Sequence, residues 1–259
     1  MTLVETNMKK TKLLFLLLLA LLIAGCQPAT NSNQAANTAT ATKTSWDAYV
    51  DRFLNDYFAA NPTFAVIQGK HEYDGKFPDW SEDGLKKEIA RLKSEREKAT
   101  AFNDNELDDR QRFERDYLIS QIDKDIFWRE TADQPHTNPY WYADPTDPDV
   151  YVSRPYAPLD KRIKSYTTYA RNLPAALEQV KNNLKGPLPK NLIAIGRQTI
   201  GGLADFFAKD VVKVFEPVKD EQLQKDFKVA NDGAIKAVKD FDAFLADQEK
   251  TANNNYALC

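Results

Sequence analysis

The chain has 259 residues, with 38 acidic and 35 basic side chains and a formal net charge of −3. This length suffices for one large domain or two small ones. The near-neutral balance excludes the strongly basic surface that nucleic-acid binding requires, so we expect no nucleic-acid partner. Glycine is scarce, and the abundance of alanine, leucine, lysine and acidic residues favours helices.

The N-terminal segment has the order of features found in bacterial lipoprotein signal peptides. Lys9, Lys10 and Lys12 precede an uncharged apolar run that is too short to span a bilayer comfortably. The sequence Ile23-Ala24-Gly25-Cys26 then resembles a lipobox, in which the cysteine thiol accepts diacylglycerol. We therefore interpret residues 1–25 as a signal peptide and Cys26 as the lipidated residue. The alternative is an ordinary secretory peptide with a cysteine there by chance.

Residues 27–44 contain no aromatic side chain and consist mainly of small and polar residues. Such a segment cannot bury enough apolar surface to offset its ordering entropy, so residues 26–44 are predicted to be the lipidated cysteine and a flexible tether. Acyl chains on Cys26 would make the membrane a partner. The residue after the lipidated cysteine is Gln27 and not aspartate, which resembles the pattern of lipoproteins sorted to the outer membrane. We therefore expect a cell-envelope location, on the periplasmic face of the outer membrane in a Gram-negative organism.

The body of the chain, residues 45–259, is predicted to be a helical domain. Ser45 is the expected N-cap of a helix whose apolar residues recur with helical spacing up to Asn61-Pro62. Ser81 is the expected N-cap of a second helix. A third is predicted from Leu107 to Trp128, and its wide apolar arc suggests burial between neighbours.

Residues 131–158 contain six prolines interleaved with aromatic residues, which excludes a long regular helix there. Helical spacing resumes at Leu159, with Pro174 expected to kink that helix or to start a new one. Further helices are predicted from Pro189 to Phe207 and from about Asp220 to Lys250. No alternating strand pattern is present. The fold class is therefore all-α: a multi-helix bundle with a proline- and aromatic-rich loop, preceded by a signal peptide and a disordered tether.

Sequence motifs for catalysis are not found. His71-Glu72 begins like the motif of helical zinc hydrolases, but Gly75 stands where the second histidine is required. His136 is the other histidine of the chain. We therefore assign no catalytic residue, no metal ligand and no cofactor from the motifs of this chain, and leave open whether it is an enzyme.

Two short segments are candidate binding elements. The first is the turn Gly69–Gly75, in which His71, Tyr73 and Asp74 could bind a substrate or transfer a proton. The alternative is a turn whose polar side chains satisfy backbone groups. The second contains Arg154, Tyr156 and Arg162, whose guanidinium groups could hold a carboxylate or could form ordinary ion pairs. The aromatic cluster Tyr140-Trp141-Tyr142 could be core or a ligand platform.

Several short pieces, in order, resemble the bacterial DUF885 family, a domain of unknown function. They cover about residues 46 to 258. The pieces are Pro62-Thr63, Gly69-x-His71-x-Tyr73-Asp74, Pro78-Asp79, Asn138-Pro139, Arg154-x-Tyr156-Ala157-Pro158-Leu159, Arg162, Pro174, Leu177, Asn183-Leu184, Pro187 and Asn255-Tyr256-Ala257-Leu258.

The resemblance implies a largely helical protein about twice this length, similar to helical zinc metallopeptidases. Zinc would be a cofactor of such full-length members, bound by a His-Glu pair and a Pro-Gly-His segment in the second half. No part of this chain matches that segment. The chain therefore resembles the N-terminal half of a longer enzyme, and we expect it to be inactive alone. Its partners would be a peptide substrate or the missing C-terminal half.

Three hypotheses follow for function. The chain is a truncated peptidase-like protein, a short non-enzymatic lipoprotein that binds a peptide or partner protein through its aromatic loop, or one half of a split peptidase. The first is preferred. Truncation would expose apolar surface, and the arcs around Phe113–Phe127 and Phe206–Phe207 are the candidates.

The lipobox predicts that Cys26 carries the N-terminal lipid. Mass spectrometry of the purified protein should show an acylated N-terminal Cys26, because the signal peptidase cleaves just before the modified cysteine. Cys26→Ser should abolish both the acylation and the cleavage before residue 26, whereas Cys259→Ser should change neither. A mature chain that begins at another residue would contradict this assignment.

Overall fold

The computed structural model describes residues 45–254. The signal peptide, Cys26, the tether and the Asn255–Leu258 piece lie outside the described residues. Within them the all-α prediction is confirmed, since the strand-like pairing found there is an isolated bridge between Pro189 and Asn253. No described helix is both long enough and apolar enough to cross a membrane.

The helices follow one another with short connections. The N-terminal ones are α1 (Ser45–Ala60), α2 (Pro62–Ile67), α3 (Glu82–Thr100) and α4 (Asp109–Ile126), which continues as a π-helical turn, Phe127–Thr131. Single-turn helices follow: α5 (Gln134–Thr137), a 3₁₀ turn Pro139–Tyr142, α6 (Ala143–Thr146) and α7 (Asp149–Val152). The remainder is α8 (Leu159–Asn183), α9 (Lys190–Gly196), α10 (Leu203–Phe206), α11 (Val212–Phe215) and α12 (Glu221–Gln248).

Helices α1, α3 and α4 enclose the smaller of two hydrophobic clusters. Its centre is aromatic, because Trp46, Tyr49 and Phe53 follow one another along the buried face of α1. The predicted cap at Ser81 is confirmed: its hydroxyl accepts a hydrogen bond from the Gly84 amide, 3.0 Å away, at the start of α3. Residues that complete the cluster are Leu92, Ala99, Leu107 and Ile122.

The buried carboxylate of Glu95 links two helices of this layer. Arg52 of α1 donates two hydrogen bonds to it, at 3.2 and 3.3 Å, and Lys98 donates a third at 2.7 Å. Burial opposes ionisation of Glu95, but these donors outweigh it and leave its pKa below the ordinary value. The charge therefore stays paired, and it fixes α3 against α1.

The larger cluster is built on the packing of α8 against α12, with α9 to α11 and the single-turn helices around the pair. A buried hydrogen bond of 2.5 Å from the Tyr166 hydroxyl to the Asn231 side chain joins α8 to α12. The amide nitrogen of Asn231 then donates to the carbonyl of Phe207, 3.0 Å away. This chain of bonds sets the register of three segments, because leaving any of these buried polar groups unpaired is costly.

Two helical segments differ from the sequence-based expectations. Helix α8 continues through Pro174, so no new helix starts there. The segment after Pro189 stays helical to Phe215, but π-helical turns at Arg197–Gly201 and Phe207–Val211 divide it. Apolar periodicity does not reveal such turns, since each one adds a residue to the helix and shifts the faces beyond it.

The apolar arcs also differ from each other. Phe113 and Tyr117 lie on the solvent side of α4, with 70% and 60% of their surface exposed. The expectation of burial between neighbours is therefore wrong for them, whereas the expectation of exposed apolar surface on this arc is met. Phe207 is fully buried, and Phe206 packs against the larger cluster, so the expectation of exposure is wrong there. The two Phe-rich segments therefore have opposite roles.

This contrast predicts the effect of truncating each ring. Phe207→Ala should lower the free energy of unfolding by about 3–5 kcal/mol, since it removes a fully buried aromatic side chain and leaves a cavity. Phe113→Ala is the matched control and should change it by less than about 0.5 kcal/mol. Urea titration of both variants followed by circular dichroism measures the difference, and equal destabilisation would contradict the placement of these rings.

Candidate functional site

The turn Gly69–Gly75 lies between α2 and α3 and is closed by its own side chains. His71 and Asp74 form a hydrogen bond of 3.0 Å between Nδ1 and Oδ1. The His71 ring stacks on Tyr156, with centroids 3.7 Å apart and planes only 9° from parallel. Asp74 also accepts a 2.6 Å hydrogen bond from the hydroxyl of Ser165 on α8. The structure thus brings together His71, Asp74 and Tyr156.

The backbone of the same turn is held from two sides. The Gly75 amide donates to the Tyr151 hydroxyl at 2.9 Å, and the Asn172 side chain donates to the Gly75 carbonyl at 2.9 Å. The Tyr156 hydroxyl is buried and finds no hydrogen-bond partner among the described residues. Burial raises the pKa of both tyrosine hydroxyls, so they stay neutral at physiological pH.

The remaining predicted residues are occupied by backbone and core contacts. Arg154 donates to the carbonyl of Ile67, the last residue of α2, at 2.9 Å. The buried Arg162 donates to the carbonyls of Tyr151 and Val152 at the end of α7. Both guanidinium groups thus donate to carbonyls at helix C-termini, where a positive charge interacts favourably with the helix dipole. Tyr73 packs against the larger cluster, with the Lys76 amine 5.1 Å from its ring centre.

The second histidine is also held by its neighbours. His136 lies on α5, with Nδ1 2.5 Å from Asp133 Oδ1 and Nε2 3.0 Å from Glu82 Oε2. The hydrogen bond to His136 is the main reason that the pKa of Glu82 falls to about 2. Residues 45–254 contain no group of three or more potential ligands arranged to hold a metal ion.

A cleft of about 480 Å³ opens elsewhere, between the N-terminal helices and the proline-rich loop. Aromatic side chains from four separate segments form much of its wall. The aromatic lining consists of Phe64, Trp80, Trp128, Tyr140 and Trp141. The volume falls within the range typical of small-molecule pockets, and an aromatic lining with a few polar groups is the usual composition of such sites.

Buried hydrogen bonds fix the inner wall of this cleft. The Asn183 amide donates to the Trp80 carbonyl at 2.6 Å and to the Tyr142 hydroxyl at 3.2 Å. That hydroxyl donates in turn to the Pro135 carbonyl at 2.8 Å, and the Tyr142 ring meets the Trp80 ring edge-on, with centroids 5.0 Å apart. Burial raises the pKa of Tyr142, which stays neutral as this donor.

The π-helical turn after α4 supplies two residues of the opposite wall, Trp128 and Arg129. The Arg129 guanidinium lies over the Trp141 ring, 5.5 Å from its centre. Single π-turns often occur at functional sites, because the extra residue redirects side chains that a regular helix would place elsewhere. The turn thus gives the cleft a cation stacked on an aromatic ring.

Most of the chain matches a known protein family. The family model for DUF885, a bacterial protein of unknown function, matches residues 62–257. The chain belongs to the DUF885 family. No curated protein sequence matches it significantly.

A solved structure has a similar fold. It is that of a protein from Shewanella oneidensis described as "a putative lipoprotein of unknown function", with a TM-score of 0.72 and 21% sequence identity. The match covers 80% of this chain and 38% of the neighbour. The DUF885 chain described here therefore spans well under half of that protein's length.

Some residues that line the cleft of this DUF885 protein were marked in the sequence. Of the Tyr140-Trp141-Tyr142 cluster, Tyr140 and Trp141 line the cleft, whereas Tyr142 is buried in the core. The Pro78-Asp79 piece of the family resemblance also lies in the cleft wall, directly before Trp80. No motif marks Arg129.

The two glycines of the turn Gly69–Gly75 should differ in how much stability is lost when each is replaced by alanine. Both have positive φ, +87° at Gly69 and +74° at Gly75. A Cβ at Gly69 would meet no atom within 4 Å, whereas one at Gly75 would lie 2.7 Å from the Tyr169 amide nitrogen and 2.7 Å from Thr168 Cγ2.

Gly69→Ala should therefore cost about 1–2 kcal/mol, the strain of a left-handed residue. Gly75→Ala should cost at least about 1 kcal/mol more, because steric overlap adds to that strain. Thermal or urea unfolding of the two variants measures both values. If Gly75→Ala were the milder substitution, the close packing of the turn on α8 would be wrong.

Proposed function

We propose that this protein is a cell-envelope lipoprotein, anchored through a lipid on Cys26, whose helical body binds peptides in the aromatic cleft and does not hydrolyse them by itself. The observation that carries the proposal is the composition of the cleft. Its walls combine several large rings with a few charged and amide groups, which suits a chain of alternating apolar side chains and polar peptide units.

Three structural points support binding at this cleft in preference to the turn Gly69–Gly75. Two rings of the cleft, Phe64 and Tyr140, have 42% and 44% of their surface exposed. The inner wall is fixed by the Asn183 network, so little ordering entropy would be lost on binding. In the turn, by contrast, His71 is covered by Tyr156 and its Nδ1 is occupied by Asp74.

The absence of hydrolysis by this chain is proposed from the positions of its histidines. Activation of water by zinc requires about three protein ligands around one open position. Neither His71 nor His136 lines the cleft, and each is held by neighbouring carboxylates. Peptide bound between Tyr140 and Trp141 would therefore meet no histidine in that cleft.

A second candidate function is favoured by the length of the structural neighbour, of which this chain covers 38%. In that case the same cleft is one wall of a longer peptidase-like enzyme, and zinc is held by residues outside this chain. The DNA downstream of Cys259 tests this. An out-of-frame or neighbouring reading frame that encodes a His-Glu segment would favour the longer enzyme, and unrelated sequence would favour the binding protein.

Binding should be visible in tryptophan fluorescence, since three of the four tryptophans of the chain line the cleft. Short peptides with aromatic residues should quench or shift the emission in a saturable manner. Tyr140→Ala should weaken binding by about five- to thirtyfold, because truncation of an aromatic contact at the centre of a site costs about 1–2 kcal/mol.

Tyr117→Ala is the matched control, since it removes an exposed tyrosine from α4 outside the cleft. It should leave the affinity unchanged. Added zinc should produce no cleavage of the same peptides. Chelator-sensitive turnover that disappears in His71→Ala would overturn the proposal and move the active centre to the turn Gly69–Gly75.

A further inference from the structure

Arg129 differs from the other charged groups around the aromatic cleft. Within residues 45–254 its side chain forms no ion pair and no hydrogen bond, and its Nε is buried without a partner. The guanidinium instead lies over the Trp141 ring. An arginine stacked in this way presents its N–H donors at the edge of the guanidinium plane, where they are available to a second group.

The nearby acidic residues do not form an ion pair with the Arg129 guanidinium. Glu88, which also lines the cleft, accepts two hydrogen bonds from Arg91, at 2.7 and 2.8 Å. Asp125, one turn before Arg129 on α4, forms its ion pair with Lys124 at 3.8 Å. Burial raises the pKa of Asp125, which the charges of Lys124 and Arg129 only partly oppose, and Asp125 and Arg129 form no ion pair.

Two further carboxylates line the cleft. Asp79 accepts a hydrogen bond from the Ser81 amide at 3.0 Å, and this turn at the start of α3 lowers its pKa. Asp144 is exposed on α6 and forms no ion pair with any residue of the described segment. The cleft therefore offers one unpaired cation beside an aromatic ring and one solvated carboxylate on α6.

We propose that Arg129 binds a carboxylate of the ligand, so that the cleft selects peptides in which a carboxylate is adjacent to an aromatic or branched apolar side chain. The apolar side chain would contact the rings of Tyr140 and Trp141, and the carboxylate would accept hydrogen bonds from the Arg129 fork. Peptide N–H groups would lie toward Asp144. The inference rests on the proposed peptide-binding function, whose ligand class it defines.

The carboxylate could be a peptide C-terminus or an acidic side chain, and three probes distinguish these sources. They are acetyl-Ala-Ala-Phe with a free carboxylate, the same peptide as its C-terminal amide, and acetyl-Ala-Glu-Phe amide. Their dissociation constants are measured by tryptophan fluorescence on the purified, detergent-solubilised chain near pH 7. Wild type should bind the free acid about tenfold more tightly than the amide, the usual gain from a hydrogen bond to a charged group. Affinity of the glutamate peptide equal to that of the free acid would show that a side-chain carboxylate also serves.

Arg129→Gln should remove the preference for the carboxylate and leave the affinity for the neutral amide nearly unchanged. Arg129→Lys should keep part of the preference, since it retains a charge without the planar fork. Arg171→Gln is the matched control, because Arg171 is an exposed arginine of α8 away from the cleft. Circular dichroism verifies that each variant is folded. If Arg129→Gln does not fold, the comparison is made with Arg129→Lys.

The outcomes separate the two proposals. Equal binding of free acid and amide by wild type would overturn the carboxylate inference and leave the peptide cleft in place. A preference for the acid that persists in folded Arg129→Gln or is fully kept in Arg129→Lys would also overturn it, since another group or charge alone would then be responsible. Failure of all three probes to bind would overturn both the peptide cleft and the role of Arg129.

Discussion

The shape of the cleft depends on one buried amide, the side chain of Asn183 at the end of α8, which is only 2% exposed. Its two donated hydrogen bonds hold the backbone of Trp80, which lies just before α3, and the hydroxyl of Tyr142 in the proline-rich loop. These segments are distant in sequence, and neither Trp80 nor Tyr142 lies within a long helix. Because a buried donor without a partner is costly, the amide fixes both segments to the rigid α8 scaffold.

The helical layers that carry this anchor could be predicted, because their determinants are local. Apolar spacing along α1 and the cap at Ser81 are visible in the sequence, and the structure has α3 starting at that cap. The π-turns and the unbroken α8 could not be predicted in this way. Pro174 removes a helical hydrogen bond, yet its neighbours Leu173 and Leu177 are fully or almost fully buried, so tertiary packing compensates for the loss.

Local sequence was similarly informative about the turn and uninformative about the cleft. His71 and Asp74 are three residues apart, so their pairing needs only a single 3₁₀ turn. Tyr156, which lies between α7 and α8, stacks on the His71 ring. The cleft instead requires that Trp80, Arg129 and Trp141 converge from separate helices and loops. That convergence is a product of tertiary packing, for which a single sequence contains no periodic or motif signal.

Several residues that carry the DUF885 resemblance are occupied by contacts within the protein. His71 is paired with Asp74 and stacked on Tyr156, while Arg154 and Arg162 satisfy the carbonyls that end α2 and α7. Most hydrogen-bonding groups of these side chains are therefore already paired within the protein. These residues stabilise the fold and have few free groups with which to bind a ligand. A ligand is better recognised by side chains whose hydrogen-bonding groups have no partner within the described part of the protein. Arg129 meets that criterion, because an arginine that only stabilised the fold would gain more from a carboxylate partner than from the face of Trp141 alone.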